Sequence, residues 1–104
     1  MNKFNQDILY TIKKFINEDN LQDLQEYYND LQTCDQEINW DYIYQKSYIH
    51  ACLMHRKNII DWMTTLFDNF DPIAKIAMRQ MFAYGRHLQT RKNPYLKNEN
   101  KDKL

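Results

Sequence analysis

The chain has few of the residues that tight turns and strands need. Its 104 residues include one glycine, two prolines and no valine. Tight β-hairpins favour glycine in the turn, and strands favour β-branched residues. The composition therefore argues against an all-β fold. It also excludes a Rossmann-type or P-loop nucleotide site, because those phosphate-binding loops need several closely spaced glycines.

Long apolar runs are missing as well. No run approaches the roughly eighteen apolar residues of a membrane-spanning helix, and the N-terminal sequence MNKFNQDILY is too polar for a signal peptide. We therefore expect an intracellular protein without membrane contact. Cys34 and Cys52 should be free thiols, because the cytosol is reducing. Abundant Asn, Lys, Ile and Tyr have AT-rich codons and point to an AT-rich genome, such as that of a large DNA virus, a protist parasite or an intracellular bacterium.

Apolar side chains recur at helical spacing, which predicts five helices. Asn20, Asn58 and Asp71 are expected N-caps, the last followed by Pro72 at the first helical position. Gly85 should bend the last helix or end it early. The predicted helices cover residues 5–18, 20–32, 40–55, 58–69 and 72–89. The apolar face of the last helix should contain Ile73, Ile76, Ala77, Met81 and Tyr84, and the core should include Leu24, Tyr48, Leu53, Ile60, Met63 and Ile76.

The first two pairs of helices look like repeats of one another. A shift of 38 residues places Tyr10 on Tyr48 and Asn20 on Asn58. Periods in the thirties with two helices per unit indicate a helical repeat stack. Coincidence between amphipathic helices is the alternative.

The segment Ser47–Cys52 resembles the Thr-Pro-Leu-His-x-Ala start of an ankyrin repeat, and Asn58–Met63 resembles the second helix of that repeat. The chain is thus similar to the degenerate ankyrin-like repeat proteins encoded by large DNA viruses. The resemblance implies stacked helical hairpins and a structural role for His50, whose ring would bond backbone near a helix start. Arg56-Lys57 stands where ankyrin repeats have a glycine, and Tyr48 replaces the helix-start proline.

The two parts of the chain differ in charge. Residues 1–71 carry twelve acids and six bases, whereas residues 72–104 carry two acids and eight bases. This polarity favours a charged partner or head-to-tail self-association, although two solvated faces could also differ in this way. Tyrosine and tryptophan are favoured in interfaces. The predicted partner-binding residues are Asp23, Glu26, Asp30, Trp40, Tyr42, Arg79, Arg86, Arg91 and Lys92.

Histidines and cysteines do not form a recognisable reactive site. His50, Cys52 and His55 lack the spacing of a structural zinc site. Cys52 and His55 share a helical face, but no third group that would orient a nucleophile is evident. We therefore expect no metal, no cofactor and no catalytic activity.

These observations combine into one prediction. We predict an all-α domain over residues 1–92, with about five helices arranged as two stacked ankyrin-like hairpins plus a longer C-terminal helix, and a polar basic tail over residues 93–104. The expected function is a small protein–protein interaction or assembly module, located in the cytoplasm, or in the host cytoplasm or virion if viral. The alternatives are a nucleic-acid-binding protein that uses the basic C-terminal third and a minor structural component of a viral particle.

Overall fold

Five α-helices make up the part of the chain that the computed structural model describes, residues 2–91. They are α1 (Lys3–Asn17), α2 (Leu21–Leu31), α3 (Trp40–Leu53), α4 (Lys57–Leu66) and α5 (Pro72–Thr90), with a 3₁₀ helix (Phe67–Asn69) after α4. No strand occurs among these residues. The predicted all-α fold of about five helices is therefore confirmed. Lys92 and the predicted tail lie outside the described residues.

Side-chain caps fix most of the helix starts. At the start of α2, the Asn20 side chain accepts a hydrogen bond from the backbone N–H of Asp23 at 3.1 Å. At the start of α5, the Asp71 side chain accepts one from the backbone N–H of Ala74 at 2.8 Å. The prediction of Asn58 as a cap is wrong, because α4 already begins at Lys57 and its N-cap is Arg56. The Arg56 side chain makes no cap bond; it reaches across to α1 instead.

The two helical hairpins are closed by the same turn. Asp19 after α1 and His55 after α3 both adopt the left-handed conformation, with φ of 55° and 57°. In each turn the next residue's N–H donates to the carbonyl five positions earlier, at 2.9 and 3.0 Å, which is the Schellman arrangement. The two turns are therefore equivalent at a separation of 36 residues. The predicted shift of 38 residues is wrong by two, because it matched Asn20 with a residue inside the first turn of α4.

Helix α3 lies between α1 and α5, while α2 packs on α1 and α4 packs on α3. Ile43, Tyr44 and Cys52 of α3 are completely buried. The Tyr44 hydroxyl donates to the carbonyl of Met63 in α4 at 2.7 Å, which satisfies its polar group inside the core. The α3 helix is thus the central element of the fold.

The turn between α3 and α4 joins three helices. The Arg56 guanidinium donates to the carbonyls of Ile16 and Asn17 at the end of α1, at 3.0 and 2.6 Å. On the other side, the His55 ring lies 3.2 Å from the carbonyl oxygen of Leu88 in α5. These contacts add side-chain partners to carbonyls at helix ends. The carbonyls of Ile16 and Leu88 also accept the backbone N–H of Asp19 and Arg91, which follow their helices.

The last helix is rotated relative to the prediction. Its buried residues are Ala74, Met78, Met81, Gly85 and Leu88. Ile73, Ile76, Ala77 and Tyr84 instead face solvent, and of the predicted apolar face only Met81 is buried.

Close packing between α5 and α3 explains this rotation. A Cβ atom on Gly85 would lie 2.7 Å from Cε2 of Tyr48 and 3.0 Å from Sγ of Cys52. Only a side chain as small as glycine therefore fits at this point of the interface. The prediction that Gly85 ends the helix early is wrong, since α5 continues to Thr90.

The predicted core is largely correct. Leu24, Tyr48, Ile60 and Met63 are buried, whereas Leu53 is only partly buried. Ile76 is 67% exposed, and its prediction as a core residue is wrong for the same reason as the α5 face.

Candidate interaction surfaces

The outer face of α5 is apolar and exposed. Ile73 is 81% exposed, Ile76 67% and Tyr84 52%. Together with Ala77 they occupy one side of the helix, since they are spaced by three, one and seven residues. We call these four residues the α5 stripe. Three of the four most exposed large hydrophobic residues of the described chain thus lie on one helix face.

A row of basic side chains borders the α5 stripe. Lys75, Arg79 and Arg86 follow one another at helical spacing, and no acid occurs anywhere in α5. Lys75 is already engaged, because its ammonium lies 5.4 Å from the ring centre of Phe67. Arg79 and Arg86 are exposed and form no ion pair within residues 2–91. Arg91 is exposed just after the helix, and the fourth predicted cation of this region, Lys92, is outside the described residues.

The predicted acidic residues lie on the outer surface of α2. Asp23, Glu26 and Asp30 are exposed and share one side of the helix. Asp23 also accepts a hydrogen bond from the Asn20 side chain at 2.8 Å, so it belongs to the N-terminal cap of α2. The ion pairs found between described residues, Lys3–Asp7 and Lys57–Asp61, are local to α1 and α4. Neither of them joins the acidic residues of α2 to the cations of α5.

The structure separates the two predicted aromatic residues. Trp40 packs on Tyr28 with ring centres 5.0 Å apart. Tyr42, two residues further, lies on another side of the helix under the Lys46 ammonium, 5.7 Å from its ring centre.

Trp40 lines a cleft of about 680 Å³ between α2, the start of α3, the end of α4 and the start of α5. The second tryptophan, Trp62, also packs on Tyr28, with ring centres 5.3 Å apart and planes at 84°. Phe70, Asp41 and Asp71 also line this space. The remaining polar lining consists of the amides of Gln25, Asn29, Gln32 and Asn69. We call this space the tryptophan cleft.

Sequence reasoning missed most of the tryptophan cleft. It selected Trp40 but left out Trp62, Phe70 and Asp71, which come from distant parts of the chain. One signal was available: the chain has only two tryptophans, and neither is fully buried. Large, half-buried tryptophans are typical of binding surfaces.

The buried polar groups of α3 have structural partners. Burial raises the pKa of the Cys52 thiol to about 11 and that of the Tyr48 hydroxyl to about 12. Cys52 is therefore a neutral thiol near pH 7, and its sulfur accepts a hydrogen bond from Gln89 at 3.6 Å. The His55 ring is directed to the carbonyl of α5. A nucleophile activated by a neighbouring base is not assembled from these residues.

The remaining candidates for chemistry are also structural. The His50 ring lies 2.7 Å from the Asn17 side chain and links the ends of α3 and α1. Its predicted bond to backbone near a helix start is not formed, because His50 is in the last turn of α3. Burial lowers the pKa of His50, with nearby Lys13 and Arg56 acting in the same direction. Within residues 2–91, no group of three or more His, Cys, Asp or Glu side chains is placed to hold a metal ion.

Comparisons with protein-family models, with curated proteins and with solved structures gave no match. Among the described helices, none is long and apolar enough to cross a membrane.

Proposed function

We propose that the protein is a small interaction or assembly module and that the α5 stripe binds its protein partner. The observation that carries this proposal is the exposure of Ile73, Ile76 and Tyr84 on a single helix face. Single exposed apolar residues are common on protein surfaces, but adjacent ones on one face are typical of interaction sites. An apolar stripe along a helix is suited to the apolar face of a second helix.

The charges beside the stripe define the partner further. Arg79 and Arg86 are exposed next to it and form no ion pair with the described residues. A partner helix with acidic residues along its border would place opposite charges against them, which favours its association and orientation. The proposed partner is therefore an amphipathic helix with an acidic border.

The helical-repeat interpretation and the similarity to ankyrin-like viral proteins belong to the same proposal. Equivalent turns 36 residues apart support a repeat. So does the position of α3, which packs on α1 on one side and on α5 on the other. The outer surface of a terminal repeat is normally polar. The apolar outer face of α5 therefore supports a stack that continues in the complex, with the partner supplying the next helix.

A matched pair of variants tests the stripe. Ile73→Ser with Ile76→Ser removes its two isoleucines, and Tyr10→Ser removes a similarly exposed aromatic residue of α1. Partners are identified by mass spectrometry of complexes from the native source, then purified and measured by calorimetry. Burial of two isoleucines contributes at least about 2 kcal/mol, so we expect the Kd to rise about thirtyfold in the isoleucine variant and not in the control. An unchanged Kd in the isoleucine variant contradicts the proposal.

Nucleic-acid binding is the second candidate, and it is favoured by the guanidinium groups of Arg79 and Arg86, which form no ion pair among residues 2–91. Such binding would release counterions, so the affinity would fall steeply with salt. We expect only nonspecific binding, at about micromolar Kd or weaker, in anisotropy measurements with duplex and single strands. Nanomolar binding that Arg79→Glu with Arg86→Glu abolishes would make α5 a nucleic-acid surface instead.

If the protein is a structural component of a viral particle, we expect its chains to associate with one another. Light scattering coupled to size exclusion measures this association directly. A dimer or larger assembly that the isoleucine variant dissociates would identify the partner as a second copy of the chain.

A further inference from the structure

The tryptophan cleft combines features that suit a cation. Among the described residues, its lining includes the carboxylates of Asp41 and Asp71 and no Lys, Arg or His. Asp41 lies at the N-terminus of α3 and Asp71 at that of α5. The helix dipole places roughly half a positive charge at each of these ends, which is less than the full negative charge of a carboxylate. The lining of the cleft therefore has a net negative charge, and two tryptophans line the same space.

The geometry of the aromatic residues leaves the tryptophans available to a ligand. Tyr28 is only 7% exposed. The Trp40 ring packs on it with ring centres 5.0 Å apart, and the Trp62 ring does so at 5.3 Å. Tyr28 thus holds both indoles in place, while Trp40 and Trp62 stay partly exposed. Tryptophan is the best aromatic partner for a cation, and a fixed ring loses little entropy when it binds one.

We propose that the tryptophan cleft binds an arginine side chain in a peptide segment of a partner protein. A planar guanidinium can stack on an indole and donate hydrogen bonds to a carboxylate at the same time, which an ammonium cannot do equally well. The cleft volume of about 680 Å³ exceeds one side chain, so it also admits neighbouring peptide backbone. The side-chain amides of Gln25, Asn29 and Asn69 supply donors and acceptors for that backbone.

This site is separate from the α5 stripe, and the proposal does not rest on the proposed function. Charge favours a different peptide at each surface: an acidic helix against Arg79 and Arg86, and a basic segment in the tryptophan cleft. Failure at one surface leaves the other unaffected.

Tryptophan fluorescence provides a direct test, because both tryptophans of the chain line the cleft. The full chain is titrated with a short blocked peptide that has one arginine flanked by glycine and serine. A second peptide has citrulline at that position, which keeps the shape and removes the charge, and a third has lysine. We expect a saturable change with the arginine peptide, a weaker one with lysine and none with citrulline. Calorimetry with the same peptides measures binding independently of the fluorescence.

Two isosteric variants separate the charge of the cleft from its fold. Asp41→Asn with Asp71→Asn neutralises the cleft, and asparagine keeps the cap of α5 because it accepts the same hydrogen bond. The control, Asp7→Asn with Asp19→Asn, makes the same change in net charge on and just after α1, and asparagine tolerates the left-handed conformation of position 19. We expect the Kd for the arginine peptide to rise about tenfold in the first variant only.

The remaining outcomes contradict the proposal. Absence of saturable binding, equal binding of the citrulline peptide, or equal Kd values in the two variants would show that the cleft does not select a cation. Equal binding of the lysine peptide would overturn the assignment of arginine. Circular dichroism of each variant verifies that it is folded before the titration.

Discussion

The substitution Gly85→Ala isolates the contact on which the position of α5 depends. A methyl group at this position would lie 2.7 Å from Cε2 of Tyr48 and 3.0 Å from Sγ of Cys52. Both distances are far below ordinary contact between carbon or sulfur atoms. Both neighbours belong to α3 and are buried, so neither can move into solvent. We therefore expect α5 to shift away from α3.

Two opposing contributions determine the size of the effect. Alanine is favoured over glycine inside a helix by about 1 kcal/mol. Adding a methyl group to a packed interface costs about 1–3 kcal/mol. Because Tyr48 is a rigid ring held between helices, we place the clash at the upper part of that range. The expected net loss is about 1–2 kcal/mol, a large part of the roughly 5–15 kcal/mol that stabilises a domain of this size.

Urea unfolding followed by circular dichroism measures this loss. The matched control is Ala83→Gly, at an exposed position of the same helix, which we expect to destabilise by about 1 kcal/mol from helix propensity alone. Alanine would then be preferred at position 83 and glycine at position 85. Stabilisation of the domain by Gly85→Ala would refute the close approach of α5 and α3.

Three further predictions follow from burial and charge. Ile60→Ala should cost about 2–5 kcal/mol because Ile60 is in the core, whereas Ile73→Ala should change stability by less than about 0.5 kcal/mol; equal losses in urea unfolding would contradict the rotation of α5. Arg56→Ala should cost about 1–3 kcal/mol, since it removes the donor to the Asn17 carbonyl and one of the donors to the Ile16 carbonyl, which keeps the backbone N–H of Asp19, and hydrogen exchange should increase at the end of α1. Stability should also fall as the pH rises from 9 towards 12. Burial raises the pKa of Cys52 from 9.0 to about 11 and that of Tyr48 from 10.0 to about 12. The unfolded chain therefore loses these protons at lower pH than the folded chain, which favours unfolding. Cys52→Ala should flatten the lower part of that pH dependence, and an unchanged slope would contradict the burial of the thiol.

Local signals were sufficient to predict the helices but not their rotation. The caps at Asn20 and Asp71 and the spacing of apolar residues act within one turn of the helix, so they can be recognised along the chain. The face that α5 buries depends instead on the shape of α3. Hydrophobicity alone selects Ile73 and Ile76, yet the buried face contains Gly85, because close approach to Tyr48 requires a small residue. A steric requirement between distant residues has no local signature.

The tryptophan cleft could not be predicted from the sequence for a related reason. Trp40 and Trp62 are 22 positions apart in the sequence, and they come together only because both pack on Tyr28. The aromatic content indicated an interface without indicating which rings would meet. The turn at His55 was equally hidden, since a non-glycine residue there adopts a left-handed conformation that sequence rules assign to glycine or asparagine.

The central position of α3 has a consequence for synthesis on the ribosome. The hairpin of α1 and α2 emerges first, but the surface of α1 that packs on α3 then has nothing to cover it. Its end also lacks the donor from Arg56, which is translated about 40 residues after the carbonyl it binds. The first hairpin therefore cannot complete its folding as it emerges, unlike an independent domain. It must wait for α3. Nascent chains that end before α3 expose the apolar surface of α1, which chaperones recognise.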